Sequence, residues 1–525
     1  MPIIALILLL FTVTAGLRLL ADRSNVPLPT LLVLGGLGLA FIPRLPHPML
    51  DPEAIFLIFI PPLLFWESLK TSLRDLKRNL RSITLLAVLM VLVTATAVAL
   101  VAHALLPQLP WAACFLLGAI LSPPDVVAVT ASIRRLKLPR TMLVILQGES
   151  LMNDATALVA YQIALAAAVT GTFSIAHAGL AFLLKGAGGI AIGLGTGWCV
   201  GCVRARATRS SVVENTISLL SPFIAFIPAA GLGCSGVLAV VAMGLFLGRA
   251  GPRVVTAETR LQGTAMWEML SFLLEGLIFI FIGLLLPQVV RGFDAGTIAK
   301  LACTSIVIVA AMIGTRMVLI FPGAYFPIWI NNQCGRTTVA YPPWRNILFT
   351  GWAGIRGGNS LVIALALPYA GLHGVPLPGR DAVIFITFVV ILITLIVQGL
   401  TLAPVIRLLG IKGDDEEEVE ERLARSVSIR AGADTITRLA AGAKIENETT
   451  AEMLTRLVTE KLRGREAFPS ASPGHLPLLR LAMIAAERKA VIDMRDRNEI
   501  SDAVMGRLQR ELDHEEILLH QRYRL

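Results

Sequence analysis

Long apolar stretches separated by short polar turns fill the first 411 residues of the chain. A helix that crosses the hydrocarbon core of a bilayer needs about 20 mainly apolar residues. Windows of that length predict thirteen transmembrane helices, which begin near residues 2, 27, 53, 82, 111, 141, 176, 212, 234, 265, 298, 345 and 380. The pattern predicts an all-α polytopic membrane protein, and we expect residues 1–21 to stay in place as its first span.

Basic residues alternate between the two sets of loops, as the positive-inside rule requires. The apolar turn at 230–236 leaves a count of twelve or fourteen spans open, but only thirteen preserves the alternation. One set of loops carries Arg18, Arg23, Lys70, Arg74, Lys77, Arg78, Arg81, Arg134, Arg135, Lys137, Arg140, Arg204, Arg206, Arg209, Arg249, Arg253, Arg260, Arg336 and Arg345, and the other carries Arg44, Arg291, Lys300 and Arg380. The bias predicts an N-terminus outside the cell and a cytoplasmic C-terminal tail.

The charge balance changes abruptly after residue 411. The whole chain is 55% hydrophobic and 16% charged, against about 25% charged residues in soluble domains, which excludes an ordinary soluble protein. The first 411 residues hold 14 of the 36 acidic side chains, and the last 114 hold the other 22. We therefore divide the chain into a transmembrane domain, 1–411, and a cytoplasmic, helical, regulatory domain, 412–525, with helical periodicity at 435–443, 450–462 and 479–519.

Eight ionisable residues fall deep inside predicted spans, where a charge costs at least a few kcal/mol. They are Glu67, Asp125, Glu149, Asp154, Glu268, Glu275, Arg316 and Arg356. An ionisable residue at that depth is a functional-site hypothesis by default. The set predicts a polar interior that receives water or a cation.

Two of the predicted spans must break. Pro123 and Pro124 precede Asp125 in the fifth span, and the twelfth contains four glycines around Arg356. Prolines remove backbone donors and clash with the preceding turn, and a break is tolerated where it lines a cavity. Each broken span is fifth in a six-span unit, and the loop charges give the two units opposite orientations. Inverted repeats with broken helices are typical of secondary transporters.

The sixth span places four polar residues within two turns: Glu149, Ser150, Asn153 and Asp154. Ser150 and Asp154 share one helix face, and Glu149 and Asn153 share the adjacent one. Carboxylate, amide and hydroxyl oxygens suit an alkali cation. Burial favours the protonated form of a carboxyl group, so Asp154 can take either a proton or a sodium ion. We expect Arg356 to pair with Glu149, because such a pair carries no net charge into the membrane. Removing either partner would leave the other charge buried and unpaired.

Three further carboxylates are more ambiguous. Glu67 lies near the cytoplasmic end of the third span, where it either reaches the interface or lines an access funnel. Glu268 and Glu275 are seven residues apart on one helix face, with Glu275 the deeper. For these two, hydrogen bonding to a neighbouring span or to Arg316 is the favoured interpretation.

Together these residues resemble the monovalent cation:proton antiporter family, in its branch of NhaP-like and NHE-like sodium/proton exchangers. The matching segments, in the order of the family, are FWESL at 65–69, SPPDVVAV at 122–129, GESLMND at 148–154, WEMLSF at 267–272 and GIRGG at 354–358. The resemblance covers the whole membrane domain, and the tail resembles those of bacterial members. It implies the NhaA/NhaP-like antiporter fold in a bacterial plasma (inner) membrane, as a homodimer whose core moves like an elevator.

Residue roles also follow from the resemblance. It implies that Asp154 binds the transported ion, that Asn153, Ser150 and Asp125 are its polar neighbours, and that Glu149 and Arg356 form the core ion pair. The Asn-Asp pair is typical of electroneutral one-for-one exchangers, here of Na+, or Li+, for H+, with K+/H+ exchange as the alternative. Transported Na+ would be held by Asp154, Asp125 and Ser150. Pro124 stands where the family usually has Thr or Val, so that position offers no hydroxyl.

Other classes of protein are disfavoured. The Gly-x-Gly-Asp motif of intramembrane aspartyl proteases and the His-Glu-x-x-His motif of metalloproteases are absent from the sequence, and so is a repeated filter loop of the kind that channels use. We therefore predict a transporter and no enzyme, with Na+ and H+ as substrates, the lipid bilayer as surroundings, and neither a cofactor nor a nucleic-acid partner.

Overall fold

The computed structural model describes residues 3–24, 26–42, 51–73, 80–133, 138–170, 175–206, 210–333, 341–369, 377–411, 413, 416–442 and 476–523. The helices of the first 411 residues are α1 Ile3–Arg23, α2 Leu28–Ala40, α3 Pro52–Lys70, α4 Leu80–Leu105, α5 Trp111–Leu121, α6 Val126–Ser132, α7 Arg140–Thr170, α8 Ile175–Arg206, α9 Ser211–Gly231, α10 Gly236–Val254, α11 Ala257–Arg291, α12 Ala295–Gln333, α13 Trp344–Trp352, α14 Gly358–Leu365 and α15 Arg380–Leu409. The tail contributes α16 Glu416–Gly442, α17 Leu476–Asp496 and α18 Asp502–Tyr523.

Proline marks the start of several of these helices. It lies at the first or second helical position of α2 and α3, and Pro110 and Pro343 immediately precede α5 and α13. Proline suits a helix start because its missing N–H would have no partner there and its φ is already helical. The helix starts are thus encoded locally.

Ten apolar segments of the described residues are long enough to cross a membrane, one of which runs through α5 and α6. Two shorter apolar helices, Leu28–Ala40 and Gly236–Gly251, and the interrupted pair α13 and α14 supply three more. The predicted all-α membrane fold with two broken helices is confirmed. The predicted orientation of the termini stays a prediction, and the helical periodicity at 450–462 falls outside the described residues.

The chain divides into two compact units. The first comprises residues 1–200, 219–248 and 267–413, and within it α4, α5, α7, α12 and α15 pack on one another with the two breaks among them. One apolar cluster of its described core gathers side chains of α1, α2, α6, α7, α11, α13, α14 and α15. Apolar packing therefore surrounds the interrupted helices on several sides.

The second unit comprises residues 201–218, 249–266 and 414–525. Its helix α16 packs on α17 and α18 around an apolar centre that includes Ala424, Met494 and Val504. Arg425 of α16 bonds Glu511 of α18 through both of its terminal nitrogens, each at 2.6 Å. Paired geometry of this kind gives an ion pair directional specificity. The described part of the tail is thus a helical bundle with its own core.

Candidate functional site

The two helix breaks meet inside the first unit. The chain is non-helical between Leu121 and Val126 and again between Trp352 and Gly358. The backbone N–H of Asp125, in the first break, donates a 2.8 Å hydrogen bond to the carbonyl oxygen of Ile355, in the second. Buried backbone groups need a partner. At this point each break satisfies a polar group of the other.

Asp125 caps the second half of the first broken span. Its Oδ1 accepts hydrogen bonds from the backbone N–H groups of Val127, at 2.8 Å, and Ala128, at 3.3 Å. A carboxylate at this position satisfies helix donors that would otherwise lack partners and complements the positive end of the helix dipole. A Cβ atom at Gly357 would overlap Oδ2 of Asp125. Glycine at 357 is therefore required for the close approach of the two breaks.

Ser150 of α7 satisfies a backbone carbonyl group of the first break. Its hydroxyl donates a 3.2 Å hydrogen bond to the carbonyl oxygen of Pro124. The hydroxyl of Ser122 instead bonds the carbonyl of Ala119, in its own helix. The carbonyl that precedes Asp125 is thus held by Ser150, which keeps its own lone pairs for a further partner.

Asp154 lies one turn further along α7 and is buried, with 5% of its surface exposed. Its Oδ2 accepts a 3.0 Å hydrogen bond from the side-chain nitrogen of Asn359, at the start of α14. Sequence reasoning missed Asn359. The signal was available in the run of 357–360, GGNS, which places a polar amide next to the glycines of the second break.

The neighbouring Asn153 is also buried. Its side-chain nitrogen donates a 3.2 Å hydrogen bond to Oε1 of Glu149. Its Oδ1 has no hydrogen-bond partner among the described residues. Buried acceptors are nearly always satisfied, so this oxygen is a candidate ligand for a cation that enters the site.

The prediction that paired Glu149 with Arg356 was wrong in its partner. In the structure Arg316 of α12 binds both carboxylate oxygens of Glu149, at 2.6 Å and 3.1 Å, and both side chains are buried. The same guanidinium donates from Nε to the carbonyl oxygen of Thr350, at 3.3 Å. The site thus contains a buried ion pair that connects α7, α12 and α13.

Arg356 lies in the unwound segment between α13 and α14 and is also buried. Its Nη1 donates to the carbonyl of Gly354 at 3.1 Å, and its Nε has no hydrogen-bond partner among the described residues. The described hydrogen bonds to Glu149 come from Arg316 and Asn153, whereas Arg356 interacts with this ion pair through its charge alone. The described hydrogen bonds of Arg316 go to Glu149 and Thr350, and none of them goes to Glu268 or Glu275.

Glu67 of α3 is half-buried and lies close enough to Asp125 and Asp154 for direct electrostatic interaction with both. A cavity of about 510 Å³ adjoins this region and is lined by Trp66, next to Glu67 in the chain, and by Val127, two residues after Asp125. The structure therefore brings Glu67 into the region of the predicted site residues.

The arrangement provides several oxygen ligands from different side chains. Among the described residues no group of three or more His, Cys, Asp or Glu side chains could hold a metal ion. The available oxygens belong to Asp125, Ser150, Asn153 and Asp154. A mixed set of carboxylate, amide and hydroxyl oxygens suits hard cations, and a buried carboxylate can take a proton instead.

Comparison with known proteins agrees with this chemistry. Residues 7–408 match the family described as "Sodium/hydrogen exchanger, transmembrane". An uncharacterized Na+/H+ exchanger of Mycobacterium tuberculosis is 35% identical, over 98% of this chain and 96% of its own length. A sodium, potassium, lithium and rubidium/H+ antiporter of Bacillus subtilis is 33% identical over 77% of this chain and 61% of its own.

The fold is also found among solved structures. A sodium proton antiporter of Methanocaldococcus jannaschii superposes with a TM-score of 0.60 at 18% sequence identity, over 78% of this chain and 98% of its own. At that identity the similarity concerns the fold alone.

The buried ion pair generates a prediction about stability. Replacing Arg316 with Gln leaves the Glu149 carboxylate buried and unpaired, and we expect this to destabilise the protein by about 3–5 kcal/mol. Arg356→Gln should cost less, because it strands no carboxylate. Thermal unfolding in detergent, followed by the loss of the monodisperse chromatographic peak, measures both variants.

The double variant Glu149→Gln/Arg316→Gln is the matched control, and it should recover part of the lost stability because no charge remains unpaired. A loss for Arg356→Gln equal to that for Arg316→Gln would contradict the assignment. So would a double variant that is no more stable than Arg316→Gln alone.

Proposed function

This chain belongs to the sodium/hydrogen exchanger family of membrane transporters, and on that premise we propose that it exchanges one Na+ for one H+ at Asp154. The proton and the cation compete for the same buried carboxylate. Binding of either one neutralises Asp154, so the loaded site carries no net charge from this group into the membrane. The exchange is therefore electroneutral.

One contrast between two carboxylates of α7 carries this proposal. Glu149 is neutralised by Arg316 through two hydrogen bonds, whereas the described hydrogen bond to Asp154 comes from the neutral amide of Asn359. An unneutralised buried carboxylate is costly unless it binds a proton or a cation. Asp154 is thus the carboxylate that gains most from binding either substrate.

The other proposed ligands lie close to Asp154 in α7. We assign Asn153 Oδ1, which has no described partner, and the Ser150 hydroxyl as neutral oxygen ligands of Na+. Asp125 stabilises the site through its place at the start of α6, and its Oδ2 is turned toward the second break at Gly357. Glu67 contributes negative charge to the approach.

A second candidate is exchange of K+ or Li+ by the same residues. The Bacillus subtilis relative is named for sodium, potassium, lithium and rubidium transport, which supports a site of broad selectivity. In this chain Pro124 offers no side-chain hydroxyl, and Ser150 holds its carbonyl oxygen. Fewer fixed ligands would leave more of the ion's water in place and weaken discrimination by size.

For the transport cycle we propose elevator-type alternating access in a homodimer of the plasma membrane, with the N-terminus outside. The mutual packing of α4, α5, α7, α12 and α15 supports a core that moves as one piece. Chemical cross-linking in native membranes tests the dimer, since a species of single-chain mass alone would contradict it.

The flux of protons in proteoliposomes tests the exchange. With a pH gradient imposed and the membrane potential clamped at zero, we expect added Na+ to move protons, because one-for-one exchange transfers no net charge. Addition of K+ or Li+ in turn identifies the cations accepted. Asp154→Asn should reduce the flux to that of empty liposomes, because the amide can neither take up the proton nor supply the charge for the cation.

Asp294→Asn is the matched control, since this exposed aspartate caps the start of α12 outside the site and should retain exchange. Exchange that persists in Asp154→Asn would contradict the role of this residue. A complete absence of cation-driven proton movement in the unmodified protein would contradict the function itself.

We also propose that residues 412–525 form a domain that regulates exchange. Within the second unit, Asp513 of α18 is 1% exposed and binds Arg260 of α11 through two hydrogen bonds, at 2.9 Å and 2.6 Å. Arg488 of α17 donates to the same carboxylate at 2.8 Å. Because α11 is continuous from Ala257 to Arg291, a contact at its first turn can influence the rest of the helix.

Asp513→Asn tests the regulatory proposal. The amide removes the carboxylate that Arg260 and Arg488 share, and of the two only Arg488 keeps a described carboxylate partner, Glu516, so the bond from Arg260 should weaken. We expect faster cleavage of the tail in limited proteolysis and a shift in the pH dependence of Na+-driven proton flux. Glu499→Gln, at an exposed ion pair on the tail surface, is the control and should change neither. An unchanged pH dependence in Asp513→Asn would contradict a regulatory role for this contact.

A further inference from the structure

The cavity of about 510 Å³ in the first unit is bordered by α1, α2, α3, α6 and α11, and we call it the vestibule. Three polar residues of α11 line it: Glu268, Ser271 and Glu275. Their spacing of three and four residues places them on one face of the helix. Trp66 and Phe272 contribute apolar surface to the same cavity. A polar stripe on one helix thus faces a space large enough for an ion and several waters.

Ser271 is the unusual member of this stripe. It is 6% exposed, lines the vestibule, and its hydroxyl has no hydrogen-bond partner among the described residues. A helical serine in an apolar setting commonly bonds the carbonyl four residues earlier, as Ser68 and Ser305 do here. A buried hydroxyl without a partner costs free energy. An occupant of the vestibule would supply the missing partner.

The charges around the vestibule favour a cation as that occupant. Glu275 is half-buried and interacts electrostatically with Asp125 and Glu67. Arg18 also lines the cavity, but its guanidinium lies 3.3 Å from the carboxylate of Asp22. This arginine therefore already has a carboxylate partner outside the vestibule. Several carboxylates in a partly desolvated space attract a positive ion.

We propose that the vestibule binds a second monovalent cation, with the Glu275 carboxylate and the Ser271 hydroxyl as direct ligands. The two residues are four apart, a separation of about 6 Å along the helix axis, which one ion can bridge from adjacent turns. Glu268 is about 10 Å from Glu275 along the same axis. It therefore attracts the ion through its charge but is too far away to coordinate it directly. One direct carboxylate matches the charge of a monovalent ion.

The position of this site gives it a staging role, in which it holds a cation before the cation moves on to Asp154. Val127, two residues beyond Asp125, lines the same cavity, so an ion at Glu275 lies beside the first helix break. Raising the local cation concentration there lowers the bulk concentration needed to fill the site at Asp154. This role rests on the proposed function, whereas the binding of the ion at Glu275 does not.

The test separates the two sites by using Asp154→Asn as the background. The unfolding temperature is measured in NaCl and in choline chloride at equal ionic strength, since a ligand that binds only the folded state stabilises it. We expect Asp154→Asn to retain a Na+-specific stabilisation, and Asp154→Asn/Glu275→Gln and Asp154→Asn/Ser271→Ala to lose it. Absence of this stabilisation in Asp154→Asn, or its persistence in Asp154→Asn/Glu275→Gln, overturns the proposal.

Transport kinetics supply the second readout. In an otherwise unmodified protein, Glu275→Gln should raise the KM for Na+ by about tenfold, because it removes a negative charge within a few ångströms of the ion, and it should leave the maximal rate largely intact. Glu258→Gln carries the same change on the same helix at an exposed position, and its KM should be unchanged. An unaltered KM in Glu275→Gln overturns the staging role.

Failure of the proposed function would look different. If the unmodified protein moves no protons on addition of Na+ but Asp154→Asn shows Na+-specific stabilisation that Glu275→Gln removes, the vestibule site stands and the exchange does not.

Discussion

The buried ion pair between Glu149 and Arg316 is the interaction on which the rest of the site depends. Two charges taken out of water are tolerated only when their geometry is good and their remaining hydrogen-bonding groups are satisfied. Here Arg316 binds both carboxylate oxygens and also the carbonyl of Thr350. Through these bonds the Arg316 side chain connects α12 to α7 and to α13, the first half of the second broken span. Since Glu149 also accepts from Asn153, the pair orients the residue beside Asp154.

The helix breaks are stabilised by a different principle, the satisfaction of backbone groups. Prolines at 123 and 124 and glycines at 357 and 358 weaken the helix at the two breaks. The groups exposed by the breaks find partners in the opposite break, in the Asp125 carboxylate and in the Ser150 hydroxyl. Polar residues that a cation would use thus also maintain the local fold. This double use limits which of them can be replaced without unfolding the site.

The sequence predicted the helices and the breaks because both depend on local features. Apolar length and proline placement are visible in any window of the chain, and the predicted starts at 345 and 380 lie within one residue of Trp344 and Arg380. The ion pair was assigned to the wrong arginine because a choice between Arg316 and Arg356 depends on which guanidinium group the tertiary structure brings to Glu149. Asn359 was missed for the same reason, since it is 205 residues away in the chain from Asp154, the residue that it contacts. Side-chain partners across helices are set by tertiary packing, which periodicity does not reveal.

The central claim is that a proton and a cation compete for Asp154, and the release of protons on cation binding tests it most directly. Purified protein in weakly buffered detergent solution is mixed with NaCl, and the pH change is followed with an indicator dye, with choline chloride as the reference. Competition at one carboxylate predicts a Na+-specific release of protons that saturates with Na+ and is abolished in Asp154→Asn. Equal release from Asp154→Asn, or saturable Na+ binding by the unmodified protein with no release of protons across the whole pH range in which it is folded, would contradict the account.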